Sequence, residues 1–409
     1  MREPMKWASN KMPKTSSKKL SLMSQAEAEK SLTFHRSFSQ YTETPLVSLK
    51  GLASFLGVKA VFVKDESWRF GLNAFKVLGG SYAIGKYIAG KLGRDISELD
   101  YQTLVSDDVK KKLGELTFYT ATDGNHGRGV AWSANKLGQK SVVLMPKGSS
   151  QIRLQNILNE GADASITDLC YDDTVQLASR KASQDPRGVV VQDTAWEGYE
   201  EIPGWIMQGY GTMAFEAIRQ LRETGMERPT HIFAQSGVGS MPGAIVGYFA
   251  NLFPDAPPVM SVVEASVADC HYLSCLEGKL VSKKGNFKTI MAGLNCGECN
   301  IISWDILKNH ADFFISIPDW VASRGMRVLA SPVKGDMQVI SGESGAVSAG
   351  VLYTMMKEDE YKNMREELKI NKDSVVLLFS TEGNTDPDKY RDIVWDGEYP
   401  SGRNNAQEQ

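Results

Sequence analysis

The sequence of 409 residues has no long apolar run, few cysteines and almost no excess of charge. No stretch reaches the roughly 18 uninterrupted apolar residues that a membrane-spanning helix needs, so a membrane protein is not expected. The basic N-terminal stretch MREPMKWASNKMPKTSSKKLSLMSQ is not followed by the apolar run of a signal peptide, so secretion is not expected either.

Cysteine and charge exclude two further classes of protein. Five cysteines give no disulfide framework at this length, and an odd number suits a reducing compartment, so we expect a cytoplasmic protein. The 46 basic and 49 acidic residues leave a formal net charge of -3, which argues against nucleic acid or an anionic membrane as the main partner. A small molecule is the expected ligand.

What the sequence does contain is an ordinary globular composition, with 42% hydrophobic and 23% charged residues. From about residue 43, short apolar strands alternate with amphipathic helices. This pattern predicts an α/β fold with mostly parallel, open twisted sheets that carry helices on both faces. Residues 1–42 are polar and weakly periodic, so they are expected to form a loosely ordered arm with one short helix.

Ligands of parallel sheets bind beyond the carboxyl ends of the strands, so a binding site is expected in the loops after strands. In HIFAQSGVGSMPGAI a strand ends at Gln235, Ser236 to Ser240 form a glycine-bearing loop, and a helix begins near Pro242. Free backbone N–H groups at a helix N-terminus hold a phosphate without a cation. A plain strand-to-helix turn is the alternative.

A second loop, TATDGNHGRG, also joins a strand to a helix. Its backbone N–H groups from Thr122 to His126 suit a carboxylate, and the Asn125 side chain suits a hydroxyl or phenolic oxygen. The alternative is an ordinary capping turn in which Asp123 or Asn125 is the N-cap. The stretch by itself does not decide between the two.

One lysine, Lys76, stands in the otherwise uncharged stretch GLNAFKVLGG at the start of a predicted helix. Burying an ammonium is costly, so this amine must reach solvent, pair with an acid or lose its proton. A deprotonated lysine amine is a nucleophile that condenses with an aldehyde. A lysine that extends to water is the alternative, and this stretch alone favours it.

The stretch NCGEC places Cys296 and Cys299 in CxxC spacing. A redox or zinc role needs a second ligand pair or a thioredoxin-like context, and the sequence reveals neither. No metal is therefore expected. A structural thiol pair, or a loop that forms a disulfide on oxidation, is the preferred interpretation.

Six segments in this order resemble the tryptophan-synthase-like (fold type II) pyridoxal-phosphate enzymes: TPLVSL, NAFKVLGG, TATDGNHGRG, SGVGSMPGA, ESGAVSAG and LFSTEGNTDP. The likeness covers residues from about 42 to 390 and implies pyridoxal 5'-phosphate as the cofactor. Within that family, TDGNHGRG, DTAWEGYEEIP, GVGSMPG and MAGLNCGE resemble the ammonia-lyases of 2,3-diaminopropionate more than the serine or threonine dehydratases.

The resemblance implies a large domain and a smaller, mobile one on either side of a cofactor cleft. We assign residues 43–80 and 205–400 to the large cofactor-binding domain, 81–204 to the small domain with the carboxylate loop, and 401–409 to a polar tail. A homodimer is expected from the family.

The matching motifs also imply site residues. Lys76 is the Schiff-base lysine and Asn125 faces the 3-oxygen of the pyridoxal ring. Either Ser380 or Thr381 takes the place beside the pyridine nitrogen, and the sequence does not choose between them. The cofactor phosphate is expected in the loop of Ser236, Gly237, Val238, Gly239 and Ser240.

The function implied is α,β-elimination of 2,3-diaminopropionate, D or L, to pyruvate and two ammonia. Asp123 is expected to take the Cα proton of one enantiomer and Lys76 that of the other, while Asp193 holds the distal ammonium. The substrate-binding residues are expected to be Thr122, Asp123, Gly124, His126 and Asp193. A dehydratase of the same fold, or a non-catalytic metabolite-binding or dinucleotide-binding module, is the alternative.

Overall fold

A computed structural model describes residues 2–285 and 287–402 of the chain, so the predicted polar tail lies outside the described residues from residue 403 onward. The strands are β1 Lys6–Ser9, β2 Leu46–Ser48, β3 Ala60–Asp65, β4 Thr117–Ala121, β5 Lys140–Met145, β6 Asp163–Ile166, β7 Gly188–Val190, β8 His231–Gln235, β9 Val259–Ala265, β10 Phe313–Ile317 and β11 Val375–Ser380.

The α-helices are α1 Gln25–Arg36, α2 Lys50–Leu56, α3 Val77–Lys91, α4 Tyr101–Leu104, α5 Asp107–Leu113, α6 Asn125–Lys136, α7 Gln151–Asn159, α8 Tyr171–Gln184, α9 Glu201–Glu223, α10 Ser240–Leu252, α11 Cys270–Glu277, α12 Ile301–His310, α13 Asp319–Ala330, α14 Val347–Lys357, α15 Lys362–Leu368 and α16 Pro387–Val394. Short 3-10 helices cover Leu20–Met23, Glu66–Gly71, Ile96–Glu98, Ala292–Leu294 and Asp359–Tyr361. No helix in the described part of the chain is long and apolar enough to cross a membrane.

The strands form two sheets. The larger has the order β1-β10-β9-β8-β11-β3-β2, and the smaller has the order β6-β5-β4-β7. All neighbouring strands are parallel except at the two edges of the larger sheet, where β1 and β2 run antiparallel to β10 and β3. The predicted α/β architecture with mostly parallel sheets is confirmed.

The central strands are apolar because both of their faces are covered. Every residue of β3, β8 and β11 is buried. Successive residues alternate between two hydrophobic clusters: Ile232 and Leu377 belong to one, and Phe233 and Leu378 to the other. This rigid core fixes the loops at the carboxyl ends of β8 and β11.

The expectation of a loosely ordered N-terminal arm is wrong for the described residues, whereas the one short helix expected there is present as α1. Strand β1 pairs with β10 at the edge of the larger sheet. Helix α1 buries Leu32 and Phe34, and the His35 ring lies 2.8 Å from the Thr212 hydroxyl of α9. The segment is polar in composition because only one side of it is buried. The few apolar residues on that side pack it against the rest of the protein.

The smaller sheet is built from strands within residues 117–190, inside the range assigned to the small domain. Helix α3 begins at Val77 and crosses the assigned boundary at residue 80, packing against both α9 and α6. The domain boundaries and the mobility of the small domain stay predictions.

Candidate active site

Loops from both sheets enclose one cavity of about 780 Å³ of empty space, part of it open to solvent. Most of the residues expected at the site line it: Lys76, Thr122, Asp123, Gly124, Asn125, His126, Asp193, Gly237, Val238, Gly239, Ser240 and Thr381. Of the expected residues, Ser236 and Ser380 are not among the described residues that line it.

Lys76 lines this cavity and carries its amine there. Lys76 is the N-cap of α3, and its side chain is 18% exposed. The Nζ atom donates a hydrogen bond to the carboxylate of Asp193. Burial alone would lower the pKa of Lys76, but the negative charge of Asp193 outweighs it and raises the pKa above its ordinary value. Of the three outcomes open to a buried amine, this structure has the ion pair.

Asp193 lies just after β7 and is only 4% exposed. Burial would raise the pKa of its carboxyl, and the Lys76 ammonium overrides this and lowers the pKa to about 2. The backbone carbonyl of Asp193 accepts hydrogen bonds from the Ser240 hydroxyl and, at 3.2 Å, from the Asn300 amide. This carboxylate therefore stays ionised on a loop that is fastened to the glycine loop.

His126 stands beside this ion pair. Its Nε2 lies 2.8 Å from the carbonyl of Val191 and so carries the proton, while Nδ1 lies 3.9 Å from Asp193 Oδ2. Burial lowers the pKa of His126. The ring is therefore neutral and fills the wall of the cavity without adding a cation.

The turn before α6 is capped by Thr122. The Thr122 hydroxyl accepts hydrogen bonds from the N–H groups of Gly124 at 3.0 Å and Gly127 at 3.1 Å. Gly124 is the N-cap, with φ at +151°, a conformation that favours glycine. The interpretation of Asp123 or Asn125 as the N-cap is wrong, because Gly124 is the N-cap and the Thr122 hydroxyl accepts the N–H hydrogen bonds of this turn.

Asp123 is thus available to the cavity. Its burial raises the pKa of its carboxyl to about 6, which the positive charge of Arg153 partly offsets and the negative charge of Asp193 increases. Arg153, on α7, also lines the cavity, and its Nε is buried without a hydrogen-bond partner among the described residues. Arg153 was not predicted from the sequence, because nothing in SQIRLQN distinguishes it from an ordinary helical arginine.

The loop before α10 has the shape of an anion cradle. Gly239, the N-cap of α10, has φ at +103° and no side chain to cap the free N–H groups behind it. A Cβ on Gly237 would lie 2.7 Å from the carbonyl oxygen of Gly293. The Ser240 hydroxyl is bonded to Asp193 and Asn300, so an anion here would rely on backbone N–H groups.

Of the two candidate hydroxyls, only that of Thr381 belongs to a residue lining the cavity. Its Oγ1 accepts a hydrogen bond of 2.9 Å from Gln235 Nε2, so its own hydrogen is available to a ligand. The Ser380 hydroxyl instead lies 2.7 Å from that of Ser341, away from the cavity. Ser236 likewise faces away, with its hydroxyl 3.3 Å from His271 Nδ1.

Glu382 is a second residue of the site that was not predicted from the sequence. Its carboxylate accepts hydrogen bonds from the Asn125 amide at 2.5 Å and from the Ser344 N–H at 3.0 Å. Asn125 is thereby oriented across the cleft from the larger sheet. The residue follows Thr381 directly, so its nearness to the site was the available signal.

These groups fit pyridoxal phosphate by their chemistry. One cavity contains an amine for the aldehyde of the cofactor and a glycine loop for its phosphate. The same cavity contains an amide for the phenolic oxygen and a free hydroxyl donor for the pyridine nitrogen. A family model described as "Pyridoxal-phosphate dependent enzyme" matches residues 38–381. The chain belongs to this family. The predicted fold type II and the predicted cofactor are confirmed.

Two relatives in this pyridoxal-phosphate family match nearly the whole chain. The diaminopropionate ammonia-lyase of Salmonella typhimurium strain LT2 is 51% identical over 381 residues, 92% of this chain and 94% of that protein. The diaminopropionate ammonia-lyase of Escherichia coli K12 is 50% identical over 379 residues, with the same coverage.

Solved structures of the E. coli protein are similar as well. The crystal structure of diaminopropionate ammonia lyase from E. coli in complex with D-serine superimposes with a TM-score of 0.90 at 47% identity, covering 97% of this chain and 98% of that one. The complex with an aminoacrylate-PLP azomethine reaction intermediate has a TM-score of 0.88 at the same identity and coverage. Maize serine racemase, at 18% identity, shares the fold.

Proposed function

We propose that this chain converts 2,3-diaminopropionate and water to pyruvate and two ammonia. The observation that carries this proposal is the pair of carboxylates, Asp123 and Asp193, in the cavity of Lys76. A diamino acid brings a second ammonium that a hydroxy amino acid lacks, and a second carboxylate suits it. The relatives with this activity in their names are 50–51% identical over 92% of the chain.

Pyridoxal phosphate, when bound, withdraws electrons from the substrate α-carbon and makes its proton acidic. Lys76 would hold the aldehyde carbon, and the backbone of the loop Gly237 to Ser240 would hold the phosphate. Asn125 and Thr381 would hold the two polar edges of the ring. Because Thr381 is a neutral donor, it leaves the ring nitrogen less positive than a carboxylate would.

Asp123 serves as the base for one enantiomer. Its pKa of about 6 makes it a stronger base than an ordinary aspartate, yet it is ionised at neutral pH. A base on one side of the α-carbon reaches the proton of only one enantiomer. Lys76 takes the proton of the other, as the neutral amine, once the proton of its ion pair with Asp193 has been lost to solvent.

Asp193 binds the distal ammonium of the substrate. It already pairs with an ammonium, that of Lys76, and its low pKa keeps it charged. Holding the β-nitrogen in its protonated form lets it leave as ammonia. The aminoacrylate that is released takes up water and gives pyruvate and the second ammonia.

The test is the stoichiometry of products from the purified holoenzyme. D- and L-diaminopropionate are assayed beside serine and threonine, with pyruvate and ammonia measured together. We expect two ammonia per pyruvate, and kcat/KM at least about tenfold above that for serine. A higher kcat/KM for serine or threonine would make the protein a dehydratase, and no turnover of any of them would favour a binding module.

The proposal also includes a homodimer that acts in cytoplasmic amino-acid breakdown. The support for the dimer is the family resemblance. Light scattering after size-exclusion chromatography measures the mass of the assembly directly, and the mass of a single chain would contradict it.

A further inference from the structure

A buried cluster of metal-binding side chains lies outside the cavity. Cys270 and His271 open helix α11, and Cys299 comes from the loop before α12. One ligand atom from each of the three lies within 4.8 Å of the others. Cys270 and His271 are fully buried, and Cys299 is 6% exposed.

A buried carboxylate adjoins the three. Glu264, near the end of β9, is fully buried, and its Oε1 lies 2.8 Å from His271 Nδ1 and 3.9 Å from Cys270 Sγ. The backbone N–H groups of His271 and Tyr272 donate to this carboxylate at 3.0 and 2.7 Å. Glu264 is therefore fixed beside the cluster and holds the His271 ring in place.

We propose that Cys270, His271 and Cys299 bind a zinc ion. Two thiolates and an imidazole are donors that zinc favours, with bonds of about 2.0 to 2.3 Å, and a non-protein ligand such as water would complete the tetrahedron. On binding, each thiol loses its proton to solvent. Because all three side chains are buried, the site gives no access to a substrate and we assign it a structural role.

The two cysteines of the CxxC motif belong to different sites. Cys296 lines the cavity, with its Sγ 3.4 Å from the position of a Cβ on Gly237. Cys299 joins Cys270 and His271 instead. The partners of Cys299 are thus Cys270 and His271, which lie 29 and 28 positions earlier in the chain. This is why spacing alone predicted no metal.

The cluster lies directly behind the anion cradle. His271 Nε2 is 2.6 Å from the position that a Cβ on Gly239 would occupy. A metal that fixes the His271 ring would therefore support the cradle from the side opposite the ligand. Metal binding would couple to the order of this loop.

The first experiment measures metal content. The holoenzyme, purified from zinc-supplemented cells and passed through gel filtration, is analysed by elemental mass spectrometry beside two variants. We expect about one zinc per chain in the wild type and a loss of at least about tenfold in Cys299→Ser. Cys275→Ser, which removes a buried thiol outside the cluster, is expected to retain the metal. Less than about a tenth of a zinc per chain in the wild type, or equal retention by both variants, would overturn the site.

The second experiment does not depend on a variant that folds. Zinc is exchanged for cobalt in the wild-type holoenzyme, and the spectrum is compared with that of the zinc form. We expect a thiolate-to-cobalt charge-transfer band and the strong visible bands of a tetrahedral site. A wild-type mass lower by two hydrogens, with no cobalt bands, would instead mean a disulfide and would reject the metal.

Discussion

Two carboxylates of the cavity, those of Asp123 and Asp193, stand on loops after the adjacent strands β4 and β7, yet their pKa values are shifted in opposite directions. The pKa of Asp193 is lowered to about 2, and that of Asp123 is raised to about 6. Both side chains are in the same cavity. Burial pushes both pKa values up, and only Asp193 has an ammonium close enough to reverse the effect.

This difference supports the two roles that we propose. A carboxylate that is ionised at every working pH anchors a cation, and one that titrates near pH 6 can exchange a proton. The backbone supports the same division. The carbonyl of Asp193 accepts hydrogen bonds from Ser240 and Asn300, which tie its loop to the larger sheet.

The largest expected effect comes from removing the Lys76 ammonium, which makes the pKa of Asp193 differ from that of Asp123. In Lys76→Ala we expect turnover of both enantiomers to fall by more than about 10⁴-fold, because the cofactor anchor and one base are lost together. The absorption band of the bound cofactor is expected to disappear as well. Steady-state assays and a visible spectrum measure both, and a variant that keeps the band and the activity would refute the assignment of Lys76.

Replacing only the proton-exchanging carboxylate should separate the enantiomers. In Asp123→Asn we expect kcat for one enantiomer of diaminopropionate to fall by about 10²- to 10⁴-fold, since a general base is removed. The other enantiomer, served by Lys76, is expected to lose less than about tenfold. Equal loss for both enantiomers would disprove the two-base idea while leaving the lyase intact.

The matched change at the anchoring carboxylate should not separate them. In Asp193→Asn we expect kcat/KM for D- and L-diaminopropionate to fall together by about 10- to 150-fold, the worth of one charge-assisted hydrogen bond. Serine, which has no distal ammonium, serves as the control substrate and should be affected less. A loss confined to one enantiomer would mean that Asp193 is a base and not an anchor.

The sequence predicted most of this site because three of its parts, the two glycine-bearing loops and Lys76, are local. A strand end followed by glycines and a helix start is readable as a cradle, and an isolated lysine in an apolar stretch is conspicuous. Glu382, Arg153 and the cluster at Cys270 were missed, because their partners are distant in sequence. Arg153 and Asp123, for example, meet only when α7 packs beside the turn before α6.

The fold was predicted with the same limits. The strands β3, β8 and β11 were readable because apolar runs alternate with helices. The strand β10, with the sequence FFISI, was not predicted, since periodicity cannot tell a short apolar run in a strand from one in a helix. The arm was misjudged because β1 depends on β10, a partner more than 300 residues away.

The pH profile tests the charge of Asp123 directly. A carboxyl with a pKa raised to about 6 is protonated below that pH and cannot accept a proton. For the enantiomer that depends on Asp123, we therefore expect kcat/KM to fall as the pH drops through about 6, by about tenfold per unit below it. The Asp123→Asn variant is the control and should lack this limb. A wild-type profile that is flat between pH 5 and 7, a range set about the stated pKa, would contradict the raised pKa.

The smallest effect expected is a shift of that limb. The guanidinium of Arg153 lowers the pKa of Asp123, so Arg153→Gln should move the acid limb to higher pH, by up to about one unit. The position of the limb, and not the size of kcat/KM, is the measurement, because Arg153 also lines the cavity and its loss can weaken binding at every pH. A limb that moves to lower pH, or does not move, would show that Asp123 is tuned by burial and Asp193 without Arg153.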